Sequence, residues 1–197
     1  MSSVLKIKIG KNTYSMLKTE AALEKVGRMW RKNARISLKK QDRINTGALY
    51  DSIPVNVFEM GTSFYVDITP KVDYWQFVDK GVQGAKRNIF PDQGKSPFKF
   101  GSGKGPKGLR GAIDKWVLQK GISGTRDEKG KFVERKSLVF MISRAIYNRG
   151  LKPSLFITRT KQKIQKHVAQ TIAPAISSDY ANAVRKELKT DKNLDVR

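Results

Sequence analysis

The sequence contains no cysteine and only one histidine. Without cysteine the chain can form neither disulfides nor thiolate metal sites, which suits assembly in a reducing cytoplasm. Because His167 is the only imidazole, a histidine-based metal site or a Ser-His triad is hard to build. The acidic residues form no short cluster, so we expect no metal-dependent nuclease site either.

Long apolar runs are also missing. No stretch approaches the roughly 18 apolar residues that would span a bilayer, and residues 1–12 lack the apolar segment of a signal peptide. Gly94-Lys95-Ser96 resembles the end of a nucleotide-binding P-loop, but Ile89 occupies the position of that motif's first glycine. The sequence therefore predicts no membrane partner, no enzyme activity and no cofactor.

Positive charge is what the chain has in excess. It contains 40 Lys and Arg residues against 17 Asp and Glu, a net charge of +23. Such a field attracts polyanions from a distance and predicts a nucleic-acid neighbour. The cations that we predict to contact DNA or a protein partner lie in a glycine-rich segment, residues 82–111: Lys86, Arg87, Lys95, Lys99, Lys104, Lys107 and Arg110.

Glycine and proline interrupt residues 82–111 so often that no helix or strand period persists. A segment of this length without secondary structure is uncommon in a compact domain unless it has a function. We expect an extended loop that projects from the body and is ordered by neighbours or DNA; a disordered insertion is the alternative. Phe98 and Phe100 either anchor this loop in a partner's groove or fold back onto the core.

Residues 44–81 form the unit around which the chain is organised. Asn45 and Thr46 are residues that start helices, and Pro54 ends the short turn that follows. Alternating apolar residues then predict two strands with a tight loop within residues 59–63.

The segments outside this unit are mainly helical. After a small hairpin in residues 5–17, Thr19 is placed to cap a long helix. Ser137 is placed to cap the second helix of an insertion, residues 109–149. Pro174 is expected to kink or break the last helix.

These patterns predict an α+β fold in which a small antiparallel sheet packs against long helices. We expect one domain over residues 1–197, with a core at 19–81 and 150–188, a long Gly/Lys-rich loop at 82–111 and a helical insertion at 109–149.

Two groups of residues carry a resemblance to a known family. The first is Thr46-Gly47-Ala48-Leu49, then Ser52-Ile53, a hairpin and Tyr74-x-x-Phe77-Val78-Asp79-x-Gly81; the second is Gly150-Leu151-Lys152-Pro153-x-x-Phe156 before a long helix. In these residues the chain resembles the tail-completion (minor tail protein Z-like) family of tailed bacteriophages. The resemblance implies structural roles for Thr46, Gly47, Leu49, Tyr74, Phe77, Asp79, Gly81, Pro153 and Phe156. The chain departs from the family pattern at Asp79-Lys80-Gly81-Val82, where Glu-x-Gly-Thr is usual, and at Thr158-Arg159, where Pro-Ala is usual.

The resemblance implies a structural virion protein that forms a ring at the head–tail junction and is assembled in the host cytoplasm. Its expected partners are copies of itself, in a ring of six or twelve, other portal, neck or tail proteins, and packaged DNA through nonspecific phosphate contacts. Charge alone supports an alternative, a sequence-independent nucleic-acid-binding protein that acts free in the cytoplasm. Against that alternative, the sequence has no helix-turn-helix, zinc-finger or ribonucleoprotein motif.

Overall fold

The computed structural model describes residues 5–61, 63–102, 108–122, 126 and 128–192. Its elements are, in chain order, β1 (Lys6–Ile9), β2 (Asn12–Ser15), α1 (Leu17–Lys40), α2 (Ala48–Asp51), β3 (Asn56–Met60), β4 (Ser63–Asp67), α3 (Trp75–Lys80), β5 (Val82–Gln83), a 3-10 turn (Gln93–Lys95), α4 (Leu109–Gln119), α5 (Arg135–Arg149), β6 (Gly150–Leu151) and α6 (Thr158–Lys192). The predicted α+β class is confirmed. In the described residues the strands form three antiparallel pairs, β1–β2, β3–β4 and β5–β6.

The chain divides into two compact units. Unit 1 contains the described residues of Met1–Ile36, Ser52–Lys71 and Ile157–Arg197, and unit 2 contains those of Ser37–Asp51 and Val72–Phe156. Because each unit combines segments that are far apart in the sequence, neither is a continuous stretch of chain. A single domain over the whole length stays a prediction.

Unit 1 is built on a hydrophobic cluster of Leu5, Met16 and Leu23. The partly buried residues that pack against this cluster are Ile7, Val57, Phe64, Val66 and Ile172. Since burying a large apolar side chain contributes about 1.5–3 kcal/mol, this cluster holds both hairpins and α6 together. The predicted hairpins are therefore confirmed, and β3 pairs with β4 up to Met60 and Ser63.

Thr19 does not cap α1, because α1 begins two residues earlier, at Leu17. Thr19 is instead fully buried, and its N–H and hydroxyl both donate to Asp179 Oδ2, at 2.8 and 2.9 Å. The first N–H groups of a helix have no partner within the helix, and they favour negative charge. Asp179, on α6, therefore has the capping role that the sequence predicted for Thr19.

Glu187, on α6, binds the first hairpin of unit 1. Its carboxylate accepts hydrogen bonds from the Tyr14 hydroxyl and from Asn12 Nδ2. The hydrogen bond from Tyr14, followed by those from Asn12 and the Lys11 backbone, lowers the pKa of Glu187 below its ordinary value of 4.5. Because the pKa of Glu187 is depressed in the folded state, its contribution to the stability of unit 1 is fully present at pH values above 4.5. The contribution is lost as the pH falls through the folded-state pKa.

We therefore expect hydrogen exchange of the β1–β2 amides to accelerate when the pH is lowered through the range in which Glu187 is protonated, after correction for intrinsic exchange rates. In Glu187→Gln, the acid-dependent part of this change should disappear, whereas exchange in α4 and α5 should match the wild type. An identical acid response in wild type and Glu187→Gln would show that another group controls the hairpin.

The predicted helical insertion is present in unit 2 as α4 and α5, which are joined by an ion pair between Asp114 and Arg135 of 3.0 Å. The prediction of a Ser137 cap is wrong, because α5 begins at Arg135 after an extended Glu134. Gly150 ends this helix with a φ of 80°. In unit 1, α6 continues through Pro174 as one helix, so the expected break is absent.

Residues 82–102 do not project from unit 2. Gln93, Ser96 and Phe100 are buried, and Phe98 packs edge-on against Phe77 with ring centroids 4.4 Å apart. Of the two possibilities for Phe98 and Phe100, folding back onto the core is the one that occurs. The projecting loop is therefore wrong for residues 82–102, while residues 103–107 lie outside the described part of the chain.

Candidate functional site

Of the residues that carry the resemblance, those in 46–49, 74–81 and 150–156 lie in unit 2, whereas Ser52, Ile53 and the β3–β4 hairpin lie in unit 1. Thr46 Oγ1 accepts Ala48 N–H at 3.4 Å, and the Gly47 carbonyl accepts Asp51 N–H at 2.9 Å. Gly47 has a φ of 85°, which side-chain-bearing residues rarely adopt. These residues form the turn that begins α2, as predicted, and Leu49 within it is buried.

A cleft of about 200 Å³ adjoins this turn. Arg43 lines the cleft, and its guanidinium donates a hydrogen bond to Lys152 O at 3.2 Å. Burial lowers the pKa of Arg43, while the charge of Asp42 acts in the opposite direction and raises it. Ligand pockets usually enclose about 300–1,000 Å³, so this cleft is smaller than a usual ligand pocket. It is lined by Arg43, Ile44, Asn45, Thr46, Gly47, Ala48, Leu49, Tyr50, Tyr74 and Val78.

Residues 150–156 bind the C-terminal end of α3. Ser154 donates both its N–H and its hydroxyl to Val78 O, at 3.0 and 2.7 Å. Leu155 N–H donates to Asp79 O at 2.9 Å. Carbonyls in the last turn of a helix have no partner within the helix, so this later segment of the chain satisfies them.

Gly81 makes that approach possible. It follows α3 with a φ of 70°, and a Cβ atom there would lie 2.5 Å from Leu151 O and 2.8 Å from Pro153 N. Real Cβ atoms do not come this close to backbone atoms, so only glycine fits. The next residue, Val82, then pairs with Leu151 in the β5–β6 ladder.

The remaining motif residues divide into buried and exposed groups. Asp79 is 1% exposed, and Pro153 and Phe156 are buried as well. Phe77 is half-buried against Phe98, and Tyr74 is 45% exposed beside the cleft. Most of these residues therefore hold unit 2 together, and Tyr74 is the one with substantial surface for a partner.

Gln93 is the residue that sequence reasoning missed. It is fully buried, and its Oε1 accepts the N–H groups of Ile89 and Phe90 at 3.0 and 3.1 Å. Its Nε2 donates to Val82 O and Arg149 O at 2.8 and 2.7 Å. One amide side chain thus joins residues 82–93 to the end of α5, and no local pattern in the sequence marks it.

The five predicted contact cations within the described residues are exposed, but they do not form one cluster on a common element. Lys86 and Arg87 donate their backbone N–H groups to Asn148 O, each at 3.1 Å, which leaves their side chains exposed. Lys95 forms an ion pair with Asp92 at 2.8 Å, and the hydrogen bond to Asp92 raises the pKa of Lys95.

The other predicted cations are placed differently. Lys99 is exposed, and its backbone bridges to Gln83. The Arg110 guanidinium lies 4.9 Å from the centre of the Phe140 ring, within the range of a cation–π contact. Lys104 and Lys107 lie outside the described residues.

This arrangement can attract anions, because even complete pairing of all 17 acidic residues would leave a net charge of +23. Within the described residues, no group of three or more His, Asp or Glu side chains could hold a metal ion. No helix in the part of the chain that the structure describes is long and apolar enough to cross a membrane.

Comparison of the chain with family models, with curated proteins and with solved structures finds no match.

Proposed function

We propose that this chain is a structural protein of a tailed-phage particle, a ring-forming head–tail connector (neck or tail-completion) component that joins the portal or neck to the tail around the DNA channel. The protein carries out no bond chemistry in this role. Its folded body packs against other copies and against neighbouring phage proteins, while its surplus cations face DNA phosphates or acidic protein surfaces.

The observation that carries this proposal is the packing of the motif segments in unit 2. Residues 74–81 and 150–156 are far apart in the sequence, yet Ser154 and Leu155 bind the last carbonyls of α3. The two segments thus form one packed element of unit 2. The same segments carry the resemblance to tail-completion proteins, so their contact supports reading them as one structural element.

The charge supports a polyanion beside the protein. Nonspecific phosphate contacts strengthen with each cation in reach and weaken steeply as salt rises. Cations that bound DNA too tightly would hinder its passage, so part of the surplus charge is expected to lie against acidic patches of neighbouring proteins.

Size-exclusion chromatography with light scattering, followed by negative-stain imaging, tests the proposal. A connector is expected to form closed rings, alone or with its portal or tail neighbour added. A protein that stays monomeric in both conditions and binds DNA by itself would contradict the proposal and favour the free nucleic-acid-binding alternative.

Charge reversal in unit 2 should weaken DNA binding. We expect Lys86→Glu/Arg87→Glu/Lys99→Glu to bind duplex DNA more weakly and to reduce the slope of log affinity against log salt by about 0.9 for each phosphate contact removed. The fold should persist, because these three side chains are exposed. Filter binding across a salt series measures both quantities.

The matched control reverses three exposed cations on α6, at Lys161, Lys163 and Lys166, and changes the net charge equally. If both triple variants lose the same affinity and the same slope, the overall charge rather than the unit 2 surface determines binding, and the assignment of these contact residues is wrong.

A further inference from the structure

The positive charge is unevenly distributed along the chain. Residues 44–70 contain no Lys or Arg, the longest such stretch in the sequence, whereas the whole chain contains 40. The same stretch contains three acidic residues, Asp51, Glu59 and Asp67. The β3–β4 hairpin of unit 1 lies inside this stretch and contains two of these acids, Glu59 and Asp67, and no cation, so it is an acidic element on a strongly basic protein.

One face of this hairpin is buried within unit 1. Val57, Phe64 and Val66 pack against the cluster of Leu5, Met16 and Leu23. Because side chains alternate along a strand, the residues between them lie on the opposite face, which we call the outer hairpin face: Asn56, Phe58, Met60, Ser63, Tyr65 and Asp67.

The outer hairpin face is apolar at its centre. Phe58 and Tyr65 are cross-strand partners, and their rings stack with centroids 5.5 Å apart and an interplanar angle of 14°. Tyr65 is 43% exposed and the neighbouring Met60 is 63% exposed. Aromatic residues and methionine are enriched at protein interfaces, and tyrosine is a frequent energetic hot spot.

Charge determines what can cover this face. Two copies of a +23 chain repel each other, so close packing between copies is least costly where at least one surface has no cations. Two outer hairpin faces placed together would join two surfaces that each carry Asp67 and no cation, whereas a basic surface of another copy would complement the charge of Asp67. The favoured contact therefore joins two different surfaces, and repetition of such a heterologous contact generates a ring or a filament.

We propose that the outer hairpin face is one half of a heterologous interface, and that its partner is a basic surface on a second copy of this chain. This inference rests on the proposed ring and identifies the surface that builds it. Phe58, Met60 and Tyr65 supply the apolar contact, and Asp67 supplies the complementary charge.

The first test places a cation on the face. Tyr65→Lys is expected to weaken self-association about tenfold or more, the effect of losing one interface hot spot, as measured by sedimentation velocity. Tyr180→Lys is the matched control, because Tyr180 is a tyrosine of unit 1 on α6 with 50% exposure. Equal losses in the two variants would show a general charge effect and overturn the proposal. Circular dichroism checks that both variants are folded.

The second test does not require the hairpin to remain folded with a lysine at position 65. Because the chain has no cysteine, Met60→Cys introduces a unique thiol that can be linked to amines by a thiol–amine crosslinker. We expect links from position 60 to lysines of another copy, identified by mixing isotopically labelled and unlabelled protein, and little disulfide between two copies.

The outcomes separate the inference from the proposed function. Rings in which position 60 forms no link between copies would overturn the inference and leave the connector proposal standing. Efficient disulfide formation between the thiols of two Met60→Cys chains would show a two-fold contact and overturn the heterologous interface. A wild-type chain that never self-associates, even with its phage neighbours, would contradict both.

Discussion

Replacing Gln93 with alanine is expected to destabilise unit 2 by about 3–5 kcal/mol. The substitution removes four hydrogen bonds and leaves two N–H groups and two carbonyls without their partner. Each buried polar group left unsatisfied costs about 1–3 kcal/mol, and the costs do not add fully because the site can relax or admit water. A loss of this size is a large part of the stability of a typical domain.

Urea denaturation monitored by tryptophan fluorescence and circular dichroism measures this effect. The matched control is Gln76→Ala on α3, whose side chain is exposed and whose loss is expected to change stability by less than about 0.5 kcal/mol. If Gln93→Ala is as stable as the control, residues 82–93 are not held to α5 by this amide.

Replacing Asp179 with alanine is expected to destabilise unit 1 by about 2–4 kcal/mol. The carboxylate is buried and accepts both hydrogen bonds of Thr19 at the start of α1, so its removal leaves two buried donors without an acceptor and deletes a favourable charge at the helix N-terminus. Asp179→Asn keeps an oxygen acceptor and should lose less.

A matched control for Asp179→Ala is Glu24→Ala, which removes an exposed ion pair with Arg28 of 2.8 Å. Exposed pairs of this kind contribute about 0.3–0.5 kcal/mol. Thermal unfolding of the three variants, together with Thr19→Ala and the double variant, gives the coupling between residues 19 and 179. Fully additive losses would mean that the two side chains do not interact.

The elements with strong local signals were predictable from the sequence. The hairpin in residues 56–67 follows from the alternation of apolar and polar side chains, and α4 lies in the predicted helical insertion, residues 109–149. Gly81 also has a local signal, since glycine is common just after the last turn of a helix, and it follows α3 with a φ of 70°.

The features decided by distant contacts were not predictable. Thr19 and Ser137 have the right chemistry for helix caps, but the caps were assigned from local propensity alone. In the fold Asp179, far along the chain, supplies the acceptor at α1, and Thr19 becomes its donor. Likewise, glycine and proline in residues 82–102 correctly exclude long helices and strands, but they do not exclude a segment held by the buried amide of Gln93.

Only the exposure of the candidate site's cations was predictable, and their positions were not. Exposure of Lys86, Arg87 and Lys99 could be anticipated, since lysine and arginine are seldom buried. The positions of Lys86 and Arg87 depend on backbone hydrogen bonds to Asn148, and that of Lys99 on the backbone hydrogen bonds that Phe98 and Phe100 form with Gln83. These contacts join different segments of the chain.

Quantitative mass spectrometry of purified phage particles, combined with gold-labelled antibodies against this chain, tests whether the chain is a head–tail connector. A connector is expected in a fixed number of copies per particle, with labelling confined to the junction between head and tail. Absence of the chain from particles that are complete and infectious would contradict the connector proposal.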